Sequence, residues 1–220
     1  MSAVRVAFFD VDETLVTVKS MFGFLAEYFD AEEYERAEKH LKGLAAAGVP
    51  RDQSNREYYR MFAGHSAAEI ADHGRAWYER AFPTLYNEAT LGWLRRYQNG
   101  GAAIVLVSGS FPACLDPIAD HVFADRVLCG QPAVVDGKHT GELVGEPVIG
   151  EGKARAVRAT MAELGVSAQD CVAFGDHSTD LPMLQQVGRR VVVGDDPGLR
   201  PHLTSPGWFR LADLGAHQPV

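Results

Sequence analysis

Hydrophobic positions along the chain follow two alternating patterns, one typical of buried strands and one typical of amphipathic helices. Continuous runs rich in Val, Ile, Phe and Leu predict strands covered on both faces, at residues 4–9, 102–107, 171–174 and 189–193. Apolar residues spaced by three and four positions predict helices over 85–98, from Pro112 onward, over 151–164 and over 180–187. Shorter strands are predicted within 122–128 and 133–135, and an Asp136–Gly137 hairpin turn follows them. Because helices connect the strands, the pattern predicts an α/β fold with a doubly wound parallel sheet.

Residues 17–83 depart from this alternation, since they contain four helical segments in succession and no strand. A capping-box pattern, Ser66 to Glu69, opens the last of these segments. One interpretation is that the helices simply flank the sheet. We favour an inserted helical cap, because four consecutive helices would otherwise interrupt the order of strands and helices. The predicted division is a catalytic core formed by 1–16 and 84–220 and a cap formed by 17–83.

Composition and charge narrow the class of protein. The 220 residues are 46% hydrophobic and 23% charged, which is ordinary for a globular protein, and a formal net charge of −8 argues against a general nucleic-acid binder. An anionic substrate stays possible, because a metal ion and a few cationic side chains can make the electrostatic potential positive at the site itself. The longest uncharged stretch, 97–115, is interrupted by Gly and Pro, so neither a membrane segment nor a secretory signal is predicted. Three cysteines without a CxxC pattern are predicted to be reduced thiols of a cytoplasmic protein.

Polar side chains with catalytic potential follow the predicted strands or open the helix after them. They are Asp10, Asp12, Ser108, Gly109, Lys153, Asp176 and Asp180. The carboxyl ends of parallel strands meet at one edge of a sheet, so these residues are expected to converge there. Each has an ordinary alternative, such as an acidic turn, a simple Ser-Gly turn, a solvated lysine or a helix cap. Separate accidents explain the whole set poorly, and a single site explains it better.

Four ordered motifs give the chain a family resemblance. They are Asp10-Val11-Asp12-Glu13-Thr14, Ser108, Lys153 and Gly175-Asp176-His177-Ser178-Thr179-Asp180. The set resembles the haloacid dehalogenase superfamily of aspartate-nucleophile phosphatases. The helical insertion after the first motif, with the stretches 107–110, 150–153 and 180–184, resembles the phosphoserine-phosphatase-like subfamily IB. The resemblance covers the whole chain and implies a Rossmann-like core with a helical cap.

The resemblance implies a role for each motif residue. It implies that Asp10 is the nucleophile and forms an aspartyl-phosphate, and that Asp12 is the general acid and base. It implies that Mg²⁺ is held by Asp10, the Asp12 carbonyl and Asp176. Ser108, the Gly109 N–H and Lys153 would bind the phosphoryl group, and Asp180 would orient Lys153 or metal-bound waters. The resemblance disfavours the dehalogenase branch of the superfamily, which uses no metal, because this chain retains Asp12, Asp176 and Asp180.

The substrate is predicted less sharply than the reaction. Phosphoserine phosphatases of this subgroup carry a glutamate nine residues after the nucleophile, where this chain has Lys19. We therefore predict a small phosphorylated metabolite with an acidic or hydroxyl-rich body, such as a sugar or cyclitol phosphate, although Lys19 could equally be a solvated helix-start residue. Arg56 and His177 are further candidates for substrate contact. Phosphoserine hydrolysis, phosphoryl transfer to an acceptor alcohol and a non-catalytic binding role are the alternatives, and the sequence indicates no oligomeric state.

Overall fold

The computed structural model describes residues 3–215, which form eight strands and eight α-helices joined by short turns. The strands are β1 (Val6–Asp10), β2 (Ala103–Ser108), β3 (Arg126–Cys129), β4 (Pro132–Val135), β5 (Lys138–Leu143), β6 (Cys171–Gly175), β7 (Arg189–Val192) and β8 (Trp208–Arg210). The helices are α1 (Ser20–Tyr28), α2 (Ala31–Ala46), α3 (Arg51–Arg60), α4 (Ala67–Leu85), α5 (Glu88–Asn99), α6 (Pro112–Val122), α7 (Glu151–Leu164) and α8 (Leu181–Leu184).

Six strands form one parallel sheet in the order β3-β2-β1-β6-β7-β8, which confirms the predicted doubly wound α/β fold. The chain builds outward from β1 through β2 to β3, then returns and builds the other half from β6. β1 is fully buried, and its alternating side chains Phe8 and Phe9 enter the two hydrophobic clusters on opposite faces of the sheet. The point where the strand order reverses therefore lies beside β1, where open α/β sheets bind their ligands.

The four helices α1–α4 follow β1 without an intervening strand, as the sequence predicts. The chain enters and leaves this insertion through two paired segments, in which the Thr17 amide donates to the Leu85 carbonyl (2.8 Å) and the Asn87 amide donates to the Leu15 carbonyl (3.0 Å). The predicted boundary at 83/84 falls inside α4, which continues to Leu85 although Pro83 lies in its last turn and cannot donate a backbone hydrogen bond. The predicted helix start at 85 shifts to Glu88, after an Asn87 cap. The division into core and cap domains itself stays a prediction.

The insertion packs tightly on the sheet layer. At Gly74 of α4, an added Cβ would lie 2.0 Å from the Ala113 carbonyl oxygen of α6, so the two helices approach backbone to backbone. Rings of α1, α3 and the loop before α6 also meet, and Phe24 lies 5.2 Å from Phe111 between ring centroids. One hydrophobic cluster thus joins the inserted helices to the strands.

Strands β4 and β5 form an antiparallel hairpin outside the main sheet. Asp136 and Gly137 both have positive φ (49° and 75°), which is the conformation that the predicted hairpin turn requires. The hairpin binds the loop before α4, where the Gly64 amide donates to the His139 carbonyl (2.7 Å). The predicted strand over 122–128 is wrong in its first half, because Val122 ends α6 and Phe123 caps that helix in the left-handed conformation. β8 lies at the sheet edge and is missing from the sequence prediction, since three residues carry no readable periodicity.

Candidate active site

A cavity of about 650 Å³ opens at the carboxyl end of β1. It brings together the predicted residues Asp10, Asp12, Lys19, Ser108, Gly109, Lys153, Asp176, His177 and Asp180. Of the predicted site residues, Arg56 does not line it. The convergence follows from the parallel sheet, because β1, β2 and β6 deliver their polar residues to the same edge.

The chain leaves β1 in an irregular helical turn, Val11–Leu15. Glu13 lies in this turn in the left-handed conformation (φ 60°, ψ −1°), which glycine adopts more readily than a residue with a side chain. The turn buries Thr14, whose hydroxyl donates to Asp176 Oδ1 at 2.9 Å. The first motif and the motif after β6 are thereby fastened to each other.

Lys153 is buried at the first turn of α7, and its ammonium joins two carboxylates. Its Nζ donates to Asp10 Oδ1 and, at 2.6 Å, to Asp180 Oδ1. Burial opposes the charge of this lysine, but the two carboxylates outweigh that effect and raise its pKa, so the ammonium form persists. The helix start needs glycine beside it, since a Cβ at Gly152 would lie 2.0 Å from the Pro147 carbonyl oxygen.

Asp180 acts as a support for its neighbours. One oxygen accepts from Lys153, and the other accepts from the backbone amides of Asp176 and His177, both at 3.2 Å. Its carboxylate therefore fixes the loop that carries Asp176 and orients the lysine that contacts Asp10. Both of its oxygens are engaged and the residue is 2% exposed, which is the geometry expected of a residue that positions its neighbours.

The donor set fits a hard divalent cation. Carboxylate oxygens of Asp10, Asp176 and Asp180 lie within 4.8 Å of one another. Burial, together with the charges of Asp180 and Asp176, raises the pKa of Asp10 well above its usual value, although Lys153 opposes the shift. A cation of the Mg²⁺ type prefers oxygen ligands and would relieve this repulsion. Both oxygens of Asp180 accept hydrogen bonds from Lys153 and the loop amides, so Asp10 and Asp176 are the carboxylates better placed to hold such a cation.

Asp12 lies two residues beyond Asp10, and its side chain lines the same cavity. Its Oδ1 is buried and has no hydrogen-bond partner among the described residues. Burial raises the pKa of Asp12 to about 6, and Ser20 partly opposes the shift. A carboxyl group with this pKa can both release and accept a proton near neutral pH, which is what a general acid and base must do.

The loop after β2 is held by hydrogen bonds that were not predicted from the sequence. The Ser108 hydroxyl accepts from the Ser110 amide (3.1 Å), which fixes the turn. The Gly109 carbonyl accepts from Asn55 Nδ2 and from the Tyr59 hydroxyl, both at 2.9 Å. Asn55 and Tyr59 are buried on α3, so an inserted helix holds the loop that is expected to bind phosphate. The signal available in the sequence was the spacing of Asn55, three and four positions before Tyr58 and Tyr59, which puts it on the same helix face as these aromatic residues.

The cationic candidates occupy different positions. Lys19 lines the cavity, but its Nζ lies 3.4 Å from Glu13 Oε2, so the charge that the sequence analysis assigned to it has a local counter-ion. Arg56 lies outside the cavity lining, and its Nη2 donates to the Gly145 carbonyl at 3.4 Å. Arg51 lines the cavity instead, with its Nη1 3.3 Å from His177 Nδ1. His177 Nδ1 also accepts from the Thr179 amide (3.1 Å).

Comparison with known proteins agrees with this geometry. The sequence profile of the haloacid dehalogenase-like hydrolase family matches residues 7–185. The chain is 32% identical to a protein of Mycobacterium tuberculosis named "Probable phosphatase", over 92% of this chain and 73% of that protein. It is 30% identical to a phosphoserine phosphatase of the same organism, over 96% of this chain and 72% of that one. A Bordetella pertussis protein of unknown function has a similar structure, with a TM-score of 0.84, 25% identity, and coverage of 95% of this chain and 98% of that one.

The chain belongs to the haloacid dehalogenase-like hydrolase family. The predicted enzyme class, a phosphatase, is confirmed by that membership and by the phosphatase relatives. Within residues 3–215, the structure contains no helix with the length and apolarity needed to span a bilayer.

Proposed function

We propose that the protein is a Mg²⁺-dependent phosphomonoester hydrolase that acts on a small phosphorylated metabolite through an aspartyl-phosphate on Asp10. One observation carries this proposal: a buried Asp10 at the end of β1 contacts the Lys153 ammonium, with Asp176 beside it and Asp12 two residues on. The arrangement supplies a nucleophile, a fixed cation and a proton donor around one point of the cavity.

The chemistry follows from the positions of these residues. A carboxylate oxygen of Asp10 attacks phosphorus, and the bond from phosphorus to the alcohol oxygen breaks while Asp12 donates a proton to that oxygen. Water then attacks phosphorus, Asp12 takes its proton, and the bond to Asp10 breaks to release inorganic phosphate. Lys153 opposes the rise in the pKa of Asp10 and so favours its ionised, nucleophilic form, and the Ser108 hydroxyl with the Gly109 N–H would hold phosphoryl oxygens. When bound by Asp10, Asp176 and the Asp12 carbonyl, Mg²⁺ would lower the repulsion between the carboxylate and the phosphoryl group.

Two classes of substrate alcohol are candidates, the amino acid serine and a sugar or cyclitol. The relative named as a phosphoserine phosphatase supports phosphoserine as a second candidate. Our sequence-based preference for a sugar or cyclitol phosphate rested on Lys19, and the Glu13 counter-ion weakens that argument. Phosphoryl transfer to an alcohol would use the same residues, so analysis of products with added acceptor alcohols distinguishes it from hydrolysis.

The direct test is phosphate release from a panel of primary phosphomonoesters, with and without Mg²⁺. We expect Mg²⁺-dependent release that Asp10→Asn abolishes and that Asp52→Asn, an exposed carboxylate outside the cavity, leaves unchanged. Borohydride reduction of the acyl phosphate should convert residue 10 to homoserine, which peptide mass spectrometry detects. Full activity of Asp10→Asn would refute the mechanism, and absence of both turnover and Mg²⁺ binding would favour a non-catalytic role.

A further inference from the structure

Five apolar side chains line the cavity where the inserted helices border it, namely Met21 and Phe22 of α1, Leu41 and Ala45 of α2, and Val49 after α2. The charged Glu38 and Lys42 of α2 line it beside them. A cavity of about 650 Å³ is in the range that accommodates drug-sized ligands, which is more than a phosphoryl group on a three-carbon amino acid needs. The site therefore has room for a larger alcohol, and the walls indicate what kind.

The charged side chains on these walls lie in ion pairs with each other. Lys42 Nζ lies 3.0 Å from Glu38 Oε1, which also accepts from the Tyr34 hydroxyl at 3.0 Å. Lys19 lies 3.4 Å from Glu13. A ligand with many hydroxyls or a second charge would have to compete with these pairs, whereas a hydrocarbon would leave them intact.

Arg51 is the remaining cation of the lining outside the catalytic cluster. In the described part of the chain no carboxylate lies within ion-pair distance of it, and its Nη1 lies 3.3 Å from His177 Nδ1 and 3.4 Å from Thr179 Oγ1. Both of those residues follow Asp176 in the loop after β6. The Arg51 guanidinium therefore lies beside the loop that carries Asp176, on the phosphate side of the cavity.

We propose that the natural substrate is the phosphate ester of an alcohol with a hydrocarbon body, and that this body lies between α1 and α2 against Phe22 and Leu41. This inference rests on the proposed phosphomonoesterase function and specifies its substrate class. It replaces the sugar or cyclitol that Lys19 suggested. Binding is driven by removal of apolar surface from water on both the ligand and the cavity walls.

The test compares n-alkyl phosphates of increasing length, namely ethyl, butyl and hexyl phosphate, with glucose 6-phosphate and phosphoserine. The alkyl esters share a primary alkoxide leaving group, so differences in kcat/KM report binding of the body. Each methylene that becomes buried should raise kcat/KM about fourfold. We expect the alkyl series to rise with length and to exceed both polar esters.

A matched pair of variants locates the effect. Ala45→Gln places a polar side chain on the apolar wall and should reduce the ratio of butyl to ethyl phosphate turnover to a third or less, on the order of one buried methylene. Ala46→Gln changes the next residue of α2, which is exposed like Ala45 but does not line the cavity, and should leave that ratio unchanged. Equal ratios in the two variants would place the hydrocarbon elsewhere and overturn the proposal.

The outcomes separate this inference from the proposed function. Mg²⁺-dependent and Asp10-dependent hydrolysis that is flat or falling along the alkyl series would overturn the hydrocarbon proposal and leave the phosphatase intact. Higher kcat/KM with glucose 6-phosphate or phosphoserine than with hexyl phosphate would overturn it as well. Absence of hydrolysis of every ester, with no Mg²⁺ binding, would overturn the proposed function and this inference with it.

Discussion

The two hydrogen bonds that α3 donates to the Gly109 carbonyl lead to a sharp prediction. Tyr59→Phe removes one of them, the 2.9 Å bond from the Tyr59 hydroxyl, and leaves the 2.9 Å bond from Asn55 in place. Tyr59 is 2% exposed and packs its ring edge-on against Phe111, so the phenylalanine ring should keep the same position. The substitution therefore changes the restraint on the Gly109 peptide and little else.

The size of the effect follows from the value of one buried hydrogen bond. Such a bond contributes about 1 kcal/mol net, which for a domain of this length lowers Tm by about 2–4 °C. The Gly109 N–H is on the same residue as this carbonyl and is expected to bind a phosphoryl oxygen. Complete loss of such a donor lowers kcat by about 10²–10³-fold. A loosened donor should cost less, so kcat/KM is expected to fall about fivefold to tenfold, the equivalent of about 1–1.4 kcal/mol.

Tyr86→Phe is the matched control. Tyr86 is also buried, its hydroxyl lies 3.1 Å from the Tyr78 hydroxyl, and it does not line the cavity. Both variants should lose a similar Tm by calorimetry, but Tyr59→Phe alone should weaken inhibition by inorganic phosphate and lower kcat/KM for phosphate release. Equal catalytic losses in the two variants, or wild-type catalysis by a destabilised Tyr59→Phe, would show that α3 does not position the loop.

Two further predictions concern stability. Gly74→Ala should lower the free energy of unfolding by about 1–3 kcal/mol in denaturant titration, because its Cβ would meet backbone atoms of Ala113 on α6. Gly43→Ala, whose Cβ meets no atom within 4 Å, should instead raise it by about 0.5–1 kcal/mol, and a similar loss in both would contradict the packing argument. Mg²⁺ at about 100 times its Kd should stabilise the protein by about 2.7 kcal/mol in calorimetry. Asp176→Asn should abolish this stabilisation by Mg²⁺. The metal-free Tm should stay equal or rise, because burial and Asp180 raise the pKa of Asp176 and so disfavour its charged form. Unchanged stabilisation by Mg²⁺ would exclude Asp176 as a ligand.

The residues at the ends of strands could be predicted because their placement depends on local order. A buried strand followed directly by an acid or a serine needs only the parallel sheet to bring such residues together. Asp10, Ser108 and Asp176 all meet this condition and line one cavity. The fold class could be predicted from the alternation of strand and helix patterns along the chain. The edge strand β8 could not, because its three residues are too few to show a pattern.

The residues contributed by α3 could not be predicted in the same way. Arg51 and Arg56 lie five positions apart, which is about 140° around a helix, so the direction of each depends on how α3 packs. That orientation is set by buried Tyr58 and Tyr59, whose rings resemble ordinary core residues in the sequence. Lys19 is a related case, since its ion pair with Glu13 depends on the left-handed conformation of Glu13. Glutamate rarely adopts that conformation, so the turn could not be predicted from the sequence.

The charges buried beneath the cavity are poorly suited to stabilise the fold. Three carboxylates, those of Asp10, Asp176 and Asp180, surround one ammonium, that of Lys153, which leaves a formal charge of −2 when all are ionised. Burying such a charged group costs more folding free energy than burying a well-packed apolar cluster of similar volume. The same arrangement would repel a phosphoryl dianion unless a cation joined it. An anionic substrate and a divalent cation are therefore expected to bind cooperatively at this edge of the sheet, and the affinity for inorganic phosphate should fall when Mg²⁺ is removed.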